Sequence, residues 1–255
     1  EEEVRARLAA EVARALPLRD KPPVFVERGA PAAAVARRAA AERASLVVIG
    51  GRPAAERPLH GGTVAERVLR RAPCPVLVAR SSPRTWRVLA ATDLTDPSLP
   101  AVAAAALEAR RLGARLTLVH NADADLGARR WEFLTTLAQI VSDDVLPGLE
   151  RASRAALLDA LRIVGAEGDV LVTHGAPAAA VLRAAHALPA ELLVVAAPAA
   201  TPVRTLLLGD VVEAVVRWAP CSVLAVRLHP RPASGLQHAV EEVGGRPVDA
   251  DPGSP

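Results

Sequence analysis

The side chains best suited to chemistry in this 255-residue sequence are two cysteines, Cys74 and Cys221. Each follows Ala-Pro and opens an apolar run. Two thiols so far apart, with no metal-ligand spacing, make neither a disulfide framework nor a metal site. A cysteine in that context reads as a small, reduced core side chain at the start of a strand. His120 and His174 each follow an apolar run and could border a crevice at strand ends, but a single histidine in a loop is ordinarily solvated. Ser98 has no recognisable base beside it, and no nucleophile–base pair or metal cluster stands out, so no hydrolytic chemistry is indicated. Thr63 with Glu66, and Asp210 with Glu213, fit another role: a helix-capping side chain with an acid three residues on.

These residues sit within an internal repeat. Gly-Ala-Pro-Ala-Ala-Ala-Val at 29–35 recurs at 175–181, 146 positions later. Ala-Ser-Leu-Val-Val-Ile at 44–49 matches Ala-Glu-Leu-Leu-Val-Val at 190–195 at the same offset. Gly62 matches Gly209, and Ala-Pro-Cys at 72–74 matches 219–221, now at 147, so one residue is missing from the loop between Gly50 and Gly62. A period of this size is a domain, and the pattern is a tandem duplication.

The second copy reads as strands at Val88–Ala91, Arg115–His120, Asp169–Thr173, Glu191–Ala196 and Ser222–Val226. Helices are expected at Pro97–Leu112, closed by Gly113, at Pro177–Ala187 and at Val211–Trp218. A helical region at 128–164 is expected to break at Pro147-Gly148. The first copy reads as a helix at Glu1–Leu16, then strand Pro23–Glu27, helix Pro31–Ala41, strand Ser45–Ile49, helix Thr63–Arg71 and strand Pro75–Ala79. It has no counterpart to Trp86–Leu146, so its strands 1 and 2 and their helix are missing. Pro23–Glu27 is therefore expected to pair abnormally or lie poorly held, leaving an exposed strand edge. Near-continuous Val/Leu strands alternating with helices make an α/β fold, a parallel sheet covered on both faces. Modules are expected at 1–82 and 86–228, with a loose Pro/Gly/Asp-rich tail at 229–255 that includes a short amphipathic stretch at Gln237–Val243.

Composition narrows the function. No apolar run reaches the roughly 18 residues of a membrane span. The net charge of +3 rests almost wholly on Arg, with Lys21 the only Lys, scattered among acids. Aromatic content of 2% leaves little for stacking bases, so nucleic acid is not expected as a partner. The start Glu1-Glu2-Glu3 is no signal peptide, and cytoplasm is the default. The sequence contains no Met, which reads as a fragment of a longer natural chain, the alternative being a pared-down first module.

Gly62-Thr63-Val64-Ala65-Glu66-Arg67-Val68-Leu69, followed by Ala72-Pro73-Cys74-Pro75-Val76-Leu77-Val78, resembles the end of universal stress protein domains. Leu112-Gly113-Ala114-Arg115-Leu116-Thr117-Leu118-Val119-His120 is similar to their second strand. The likeness covers nearly everything but the tail. It implies a five-stranded, adenine nucleotide alpha-hydrolase-like parallel sheet in order 3-2-1-4-5 in each complete module. It also implies dimers or tandem pseudo-dimers joined through each module's last strand. Many members of that family bind ATP and others do not.

The resemblance also implies where ATP would bind: an acid at the end of strand 1, and a loop after strand 4 of form Gly-x2-Gly-x9-Gly-Ser/Thr around the phosphates. In the first copy Gly50, Gly62 and Thr63 match, but Pro53 replaces the second Gly, the spacer is eight residues, and the strand 1 acid is missing. In the second copy Asp93 matches the acid, Val119 the strand 2 end and Gly209 the last loop glycine. There Ala196 and Ala199 replace the other glycines and Asp210 the Ser/Thr. An Ala forced into left-handed geometry costs about 1–2 kcal/mol, and a carboxylate roughly 5 Å from a phosphate charge costs on the order of 3 kcal/mol at an effective dielectric near 20.

Three functions follow from the resemblance. The first is a regulatory stress-response protein with a degraded adenine-nucleotide site, not an enzyme, acting through protein partners or self-association at the last strands. The second is an ATP- or AMP-binding stress sensor with at most slow hydrolysis. The third is the soluble cytosolic regulatory region of a transporter. Asp93 and Asp210 also have plain explanations as turn and helix caps.

Overall fold

The computed structural model describes residues 2–15, 21–51, 62–95, 98–122, 145–197 and 209–227. Helices α1 Glu2–Ala15, α2 Pro31–Ala41 and α3 Val64–Arg71 with strands β1 Val47–Gly50 and β2 Val76–Ala79 form the first repeat. The second has β3 Arg87–Ala91, α4 Leu99–Leu112, β4 Arg115–Asn121, α5 Val145–Ile163, β5 Asp169–Thr173, α6 Pro177–Ala187, β6 Leu192–Ala197, α7 Asp210–Trp218 and β7 Ser222–Arg227. One seven-stranded sheet runs through both repeats in the order β1-β2-β7-β6-β3-β4-β5.

Within the second repeat the order is the expected 3-2-1-4-5, all parallel. The central strands β3, β6 and β7 are mostly Val, Leu and Ala buried on both faces, as a sheet with helices on both sides requires, while β5 at the edge is half-buried. Among the described residues the one antiparallel junction is β2 against β7, in register Val76↔Ala225, Leu77↔Leu224 and Val78↔Val223. The last strands of the two repeats thus pair with each other inside the chain. Each has two neighbours in the sheet, which ends at β1 and β5.

Helix boundaries follow local chemistry. Pro100 occupies the first turn of α4, and Gly113 ends the helix with φ +61, its N–H reaching the Ala109 and Arg110 carbonyls. That left-handed cap is a conformation glycine adopts without strain. Glu191 Oε1 accepts the N–H groups of Thr85 and Trp86 at 2.6 and 2.8 Å, fixing the entry into β3.

Two cores flank the sheet. One lies beneath α2, α3, α6 and α7 and spans both repeats, from Ala39, Val68 and Leu69 to Val181, Val215 and Val216. The other lies beneath α4 and α5, around Val102, Leu157, Leu161, Leu192 and Val194, and draws only on Leu77 from the first repeat.

The structure corrects two expectations here. Pro23–Glu27 is not the strand its composition suggested, and, as expected for a segment whose neighbour has no counterpart in the first repeat, it joins no sheet. The helix at 145–163 runs through Pro147-Gly148 without a break. Pro147 falls in the first turn, where an N–H has no intrahelical acceptor to lose. Residues 128–144, Pro53, Ala199 and the tail from 229 lie outside the described residues.

Candidate functional site

The carboxyl ends of β3, β4 and β6 meet where the strand order reverses, the place ligands enter open α/β sheets. Leaving β3, Thr92 is buried, and its Oγ1 accepts the Leu94 N–H at 3.0 Å and lies 2.7 Å from Ser98 Oγ. Ser98 Oγ donates to the Thr95 carbonyl at 2.8 Å, so the shared hydrogen comes from Thr92. Both hydroxyls are committed to shaping the turn, and among the described residues no base bonds to either. Asp93 is exposed. Its Oδ1 accepts the N–H and hydroxyl of Thr95 at 3.0 and 2.6 Å, a turn held by a side chain.

His120 lies in the strand expected at Arg115–His120 but is not solvated. It lies inside β4, 1% exposed, with Nδ1 3.0 Å from the Thr92 carbonyl. A carbonyl only accepts, so Nδ1 carries the hydrogen. The strand extends this far because β5 pairs with it through His120↔Val172 and Asn121↔Thr173. His174 is exposed after β5, as expected. Val119 is buried in β4, and its carbonyl takes the Thr92 N–H at 3.0 Å.

Asn121 escaped notice in the sequence. At the end of β4 it is 5% exposed, with Nδ2 donating to the Gly175 carbonyl at 3.1 Å. Its Oδ1 is buried with no hydrogen-bond partner, the kind of group that calls for an explanation. The only available signal was a polar residue closing an otherwise apolar strand.

On the β6 side, Ala196 is not forced into left-handed geometry. It continues the strand, paired with Val226, and β6 ends at Ala197, whereas β1 of the first repeat ends at Gly50. Gly209, not Asp210, is the N-cap of α7, and its carbonyl accepts the Glu213 N–H at 3.1 Å. Asp210 is the first helical residue, exposed, where its charge still suits the helix dipole.

In the first repeat, Gly62 has φ +66 and leads into Thr63, the N-cap of α3. Thr63 Oγ1 accepts the Glu66 N–H at 3.2 Å, and Glu66 Oε2 accepts the Thr63 N–H at 3.0 Å, a complete capping box. Glu66 is fully buried and accepts hydrogen bonds from both Nε and Nη2 of Arg217 at 2.7 Å. Burial alone would raise the Glu66 pKa. The Arg217 guanidinium, the Thr63 N–H and nearby Arg70 outweigh it and hold the carboxyl below its usual range. Arg217 is correspondingly held above its ordinary value, chiefly by Glu66.

Gly50 and Thr63 come together around a cavity of about 50 Å³, also lined by Gly51, Arg80, Val216 and Arg217. A phosphate at this helix start would meet a carboxylate already seated on the Thr63 N–H. The residues described here do not fit that group. Among them, no cluster of three His, Cys, Asp or Glu could hold a metal.

Comparison with known proteins agrees with this architecture. The family model described as the universal stress protein family matches residues 1–80 and 86–227. A universal stress protein of Thermus aquaticus is 34% identical over 142 residues, covering 55% of this chain and 97% of that protein. The crystal structure of a universal stress protein from Archaeoglobus fulgidus superposes with a TM-score of 0.61 at 22% identity, over 89% of this chain and 76% of that one. A functionally unknown protein from Pseudomonas aeruginosa does so with a TM-score of 0.60 at 19% identity, over 88% and 78%.

Proposed function

The chain belongs to the universal stress protein family, and we propose that it is a regulatory stress-response protein whose adenine-nucleotide site is degraded and which acts through contacts with other proteins, not as an enzyme. One observation carries this. The Thr63 N–H at the start of α3 is bonded to the chain's own Glu66 carboxylate, which Arg217 of the other repeat holds from the opposite side. An anion arriving there must displace an ion pair to reach that donor, and the helix dipole is already answered by Glu66. In the second repeat the helix start carries Asp210, a like charge for any phosphate. The modules of this reading are residues 1–82 and 86–228, and its setting is the cytoplasm. Titration calorimetry of the full chain with ATP, ADP and AMP is expected to show no binding heat. Micromolar ATP binding overturns the proposal.

A second function, an adenine-nucleotide sensor working through the second repeat, is favoured by two groups. Asp93 and the partnerless Asn121 Oδ1 stand at the ends of adjacent strands, next to the reversal of strand order. If it is correct, ATP or AMP binds and Asp93→Ala abolishes that binding, while an unchanged affinity rejects this site. For a transporter's regulatory region there is no favouring observation. Among the described residues no helix is long and apolar enough to cross a membrane.

A further inference from the structure

Among the described residues neither core contains a Phe or Trp, so packing does not call for aromatic side chains. Trp86, just ahead of β3, is 52% exposed, and its backbone takes φ +52. A bulky residue in that left-handed region is strained. Three bonds hold it there. Glu191 Oε1 accepts the N–H groups of Thr85 and Trp86, and the Trp86 carbonyl accepts the Arg115 N–H at 2.7 Å. Next to it, Thr85 Oγ1 is buried with no hydrogen-bond partner. The fold thus carries two local costs where it keeps an indole ring in solvent. The place is the amino-terminal end of the strands, opposite the crevice where the strand order reverses.

An open groove of about 430 Å³ lies at the same end, between the last turn of α4 and the turn after α5. Ala106, Ala109 and Leu116 line it and are buried, and Ala114 in its lining precedes the residue that bonds Trp86. Leu112 and Ile163, which end α4 and α5, are exposed. Arginines gather here as well. Arg84 stands over the Trp86 ring at 5.8 Å, and Arg110 bonds the Gly165 carbonyl across the groove. Arg115 and Arg87 share one carboxylate, Asp169, at 3.0 and 3.9 Å. Glu191 is committed to backbone N–H groups, and Glu167 lines the groove. Among the described residues no carboxylate pairs with Arg84 or Arg110. Exposed Trp and Arg are the side chains that carry most binding energy at protein interfaces.

We propose that this end of the second repeat docks an acidic, apolar segment of a partner protein. The Trp86 ring is its anchor, the groove takes apolar side chains, and Arg84 and Arg110 meet the carboxylates. This names a partner class for the protein contacts proposed above and rests on that reading. Charge selects the occupant, because the two arginines without a carboxylate are matched by acids on the incoming chain. A ring already held in place also lowers the ordering cost of binding. Single-stranded nucleic acid fits this surface less well. It needs a continuous basic track with successive aromatic rings, whereas Asp169, Glu167 and Glu191 interrupt the arginines here.

The test follows the fluorescence anisotropy of a fluorescein-labelled peptide of alternating Glu and Leu mixed with the full chain. Binding is expected, and it should weaken as salt rises. Trp86→Gly removes the ring with a residue at ease at φ +52, so the thermal midpoint should stay or rise while the peptide binds at least about tenfold more weakly. The double variant Arg84→Glu, Arg110→Glu should weaken binding by a similar factor, and Arg154→Glu on the exposed side of α5 should not change it. A peptide that does not bind, or binds Trp86→Gly and the double variant as tightly as the wild type, overturns the proposal. So does tighter binding of a Lys/Leu peptide or of oligothymidylate. ATP binding in calorimetry would refute the degraded site and leave this surface standing, so the two readings fail separately.

Discussion

Arg217 grips the buried carboxylate of Glu66 with two parallel bonds of 2.7 Å, from the second repeat into the first. The repeat generates the reciprocal pair, Arg70 with Glu213 at 2.6 Å, because Glu66 corresponds to Glu213 and Arg70 to Arg217. The α3–α7 contact is therefore a two-fold exchange of charges beside the antiparallel β2–β7 junction. Glu66→Gln keeps the capping geometry and removes the charge. It should cost about 2–3 kcal/mol, because it leaves a guanidinium with only 17% of its side chain exposed facing a neutral partner. Arg70→Gln should cost less than about 1 kcal/mol, since that pair is 27% and 32% exposed. Replacing Glu66 and Arg217 together by Met should recover most of the Glu66→Gln loss. Urea unfolding of the four proteins measures this, and a double variant as unstable as the single one contradicts it.

Acid should weaken the same contact. The Glu66 carboxyl has its pKa lowered from 4.5, so its contribution is complete above that value and is lost as pH falls through the lower folded-state value. Unfolding midpoints taken from about pH 6 down to pH 3 should fall for the wild type. The fall should be shallower in Glu66→Gln, which has no proton to gain there. Parallel curves for the two proteins would remove Glu66 from the explanation.

What the sequence disclosed and what it withheld divide along the range of the forces involved. Turns, the Gly113 cap and the Thr63–Glu66 box depend on residues within a few positions of each other, and they read out directly. The Val/Leu runs marked every strand that has two neighbours. The run at 23–27 looks the same in composition, but a strand exists only where another accepts its hydrogen bonds. His120, read as the last residue of its strand, was expected to be solvated and is buried instead, because pairing with β5 carries β4 on to Asn121. The Glu66–Arg217 bond spans 151 positions and follows from how the repeats pack, which no local pattern records. Its trace was present all the same, in a Glu and an Arg recurring together at one offset.

The cysteines should be inert in the folded protein. Burial pushes the Cys221 thiol up to about 11, and burial likewise raises Cys74 despite the nearby Arg227 charge. The thiolate is the reactive form, so at about pH 8 iodoacetamide should modify neither residue faster than the protein unfolds. Labelling rates should rise with urea in parallel with the loss of structure. Rapid modification of either residue in native buffer would mean that the strand starts at 74 and 221 open locally.

Arg80 and Arg227 also occupy equivalent places, just after β2 and at the end of β7, and each reaches into the other repeat. Arg227 donates to the Leu69 carbonyl in the last turn of α3, and Arg80 to the Val216 carbonyl in the last turn of α7. Those carbonyls are among the last four of their helices, which no intrahelical N–H can satisfy, and a cation there also opposes the negative end of the dipole. Removing either guanidinium leaves an acceptor unpaired, so Arg80→Met and Arg227→Met should each cost about 2–3 kcal/mol. Arg227 should be the more sensitive. It is 7% exposed, so water cannot take its place at Leu69. Arg80 is half-buried, and its backbone N–H still holds Ser222 Oγ at 3.0 Å when the side chain is lost. Thermal unfolding of the two variants should rank them in that order. The opposite ranking would mean that the Cys221 carbonyl, which Arg80 also holds at 3.0 Å, matters more to the junction than either helix end.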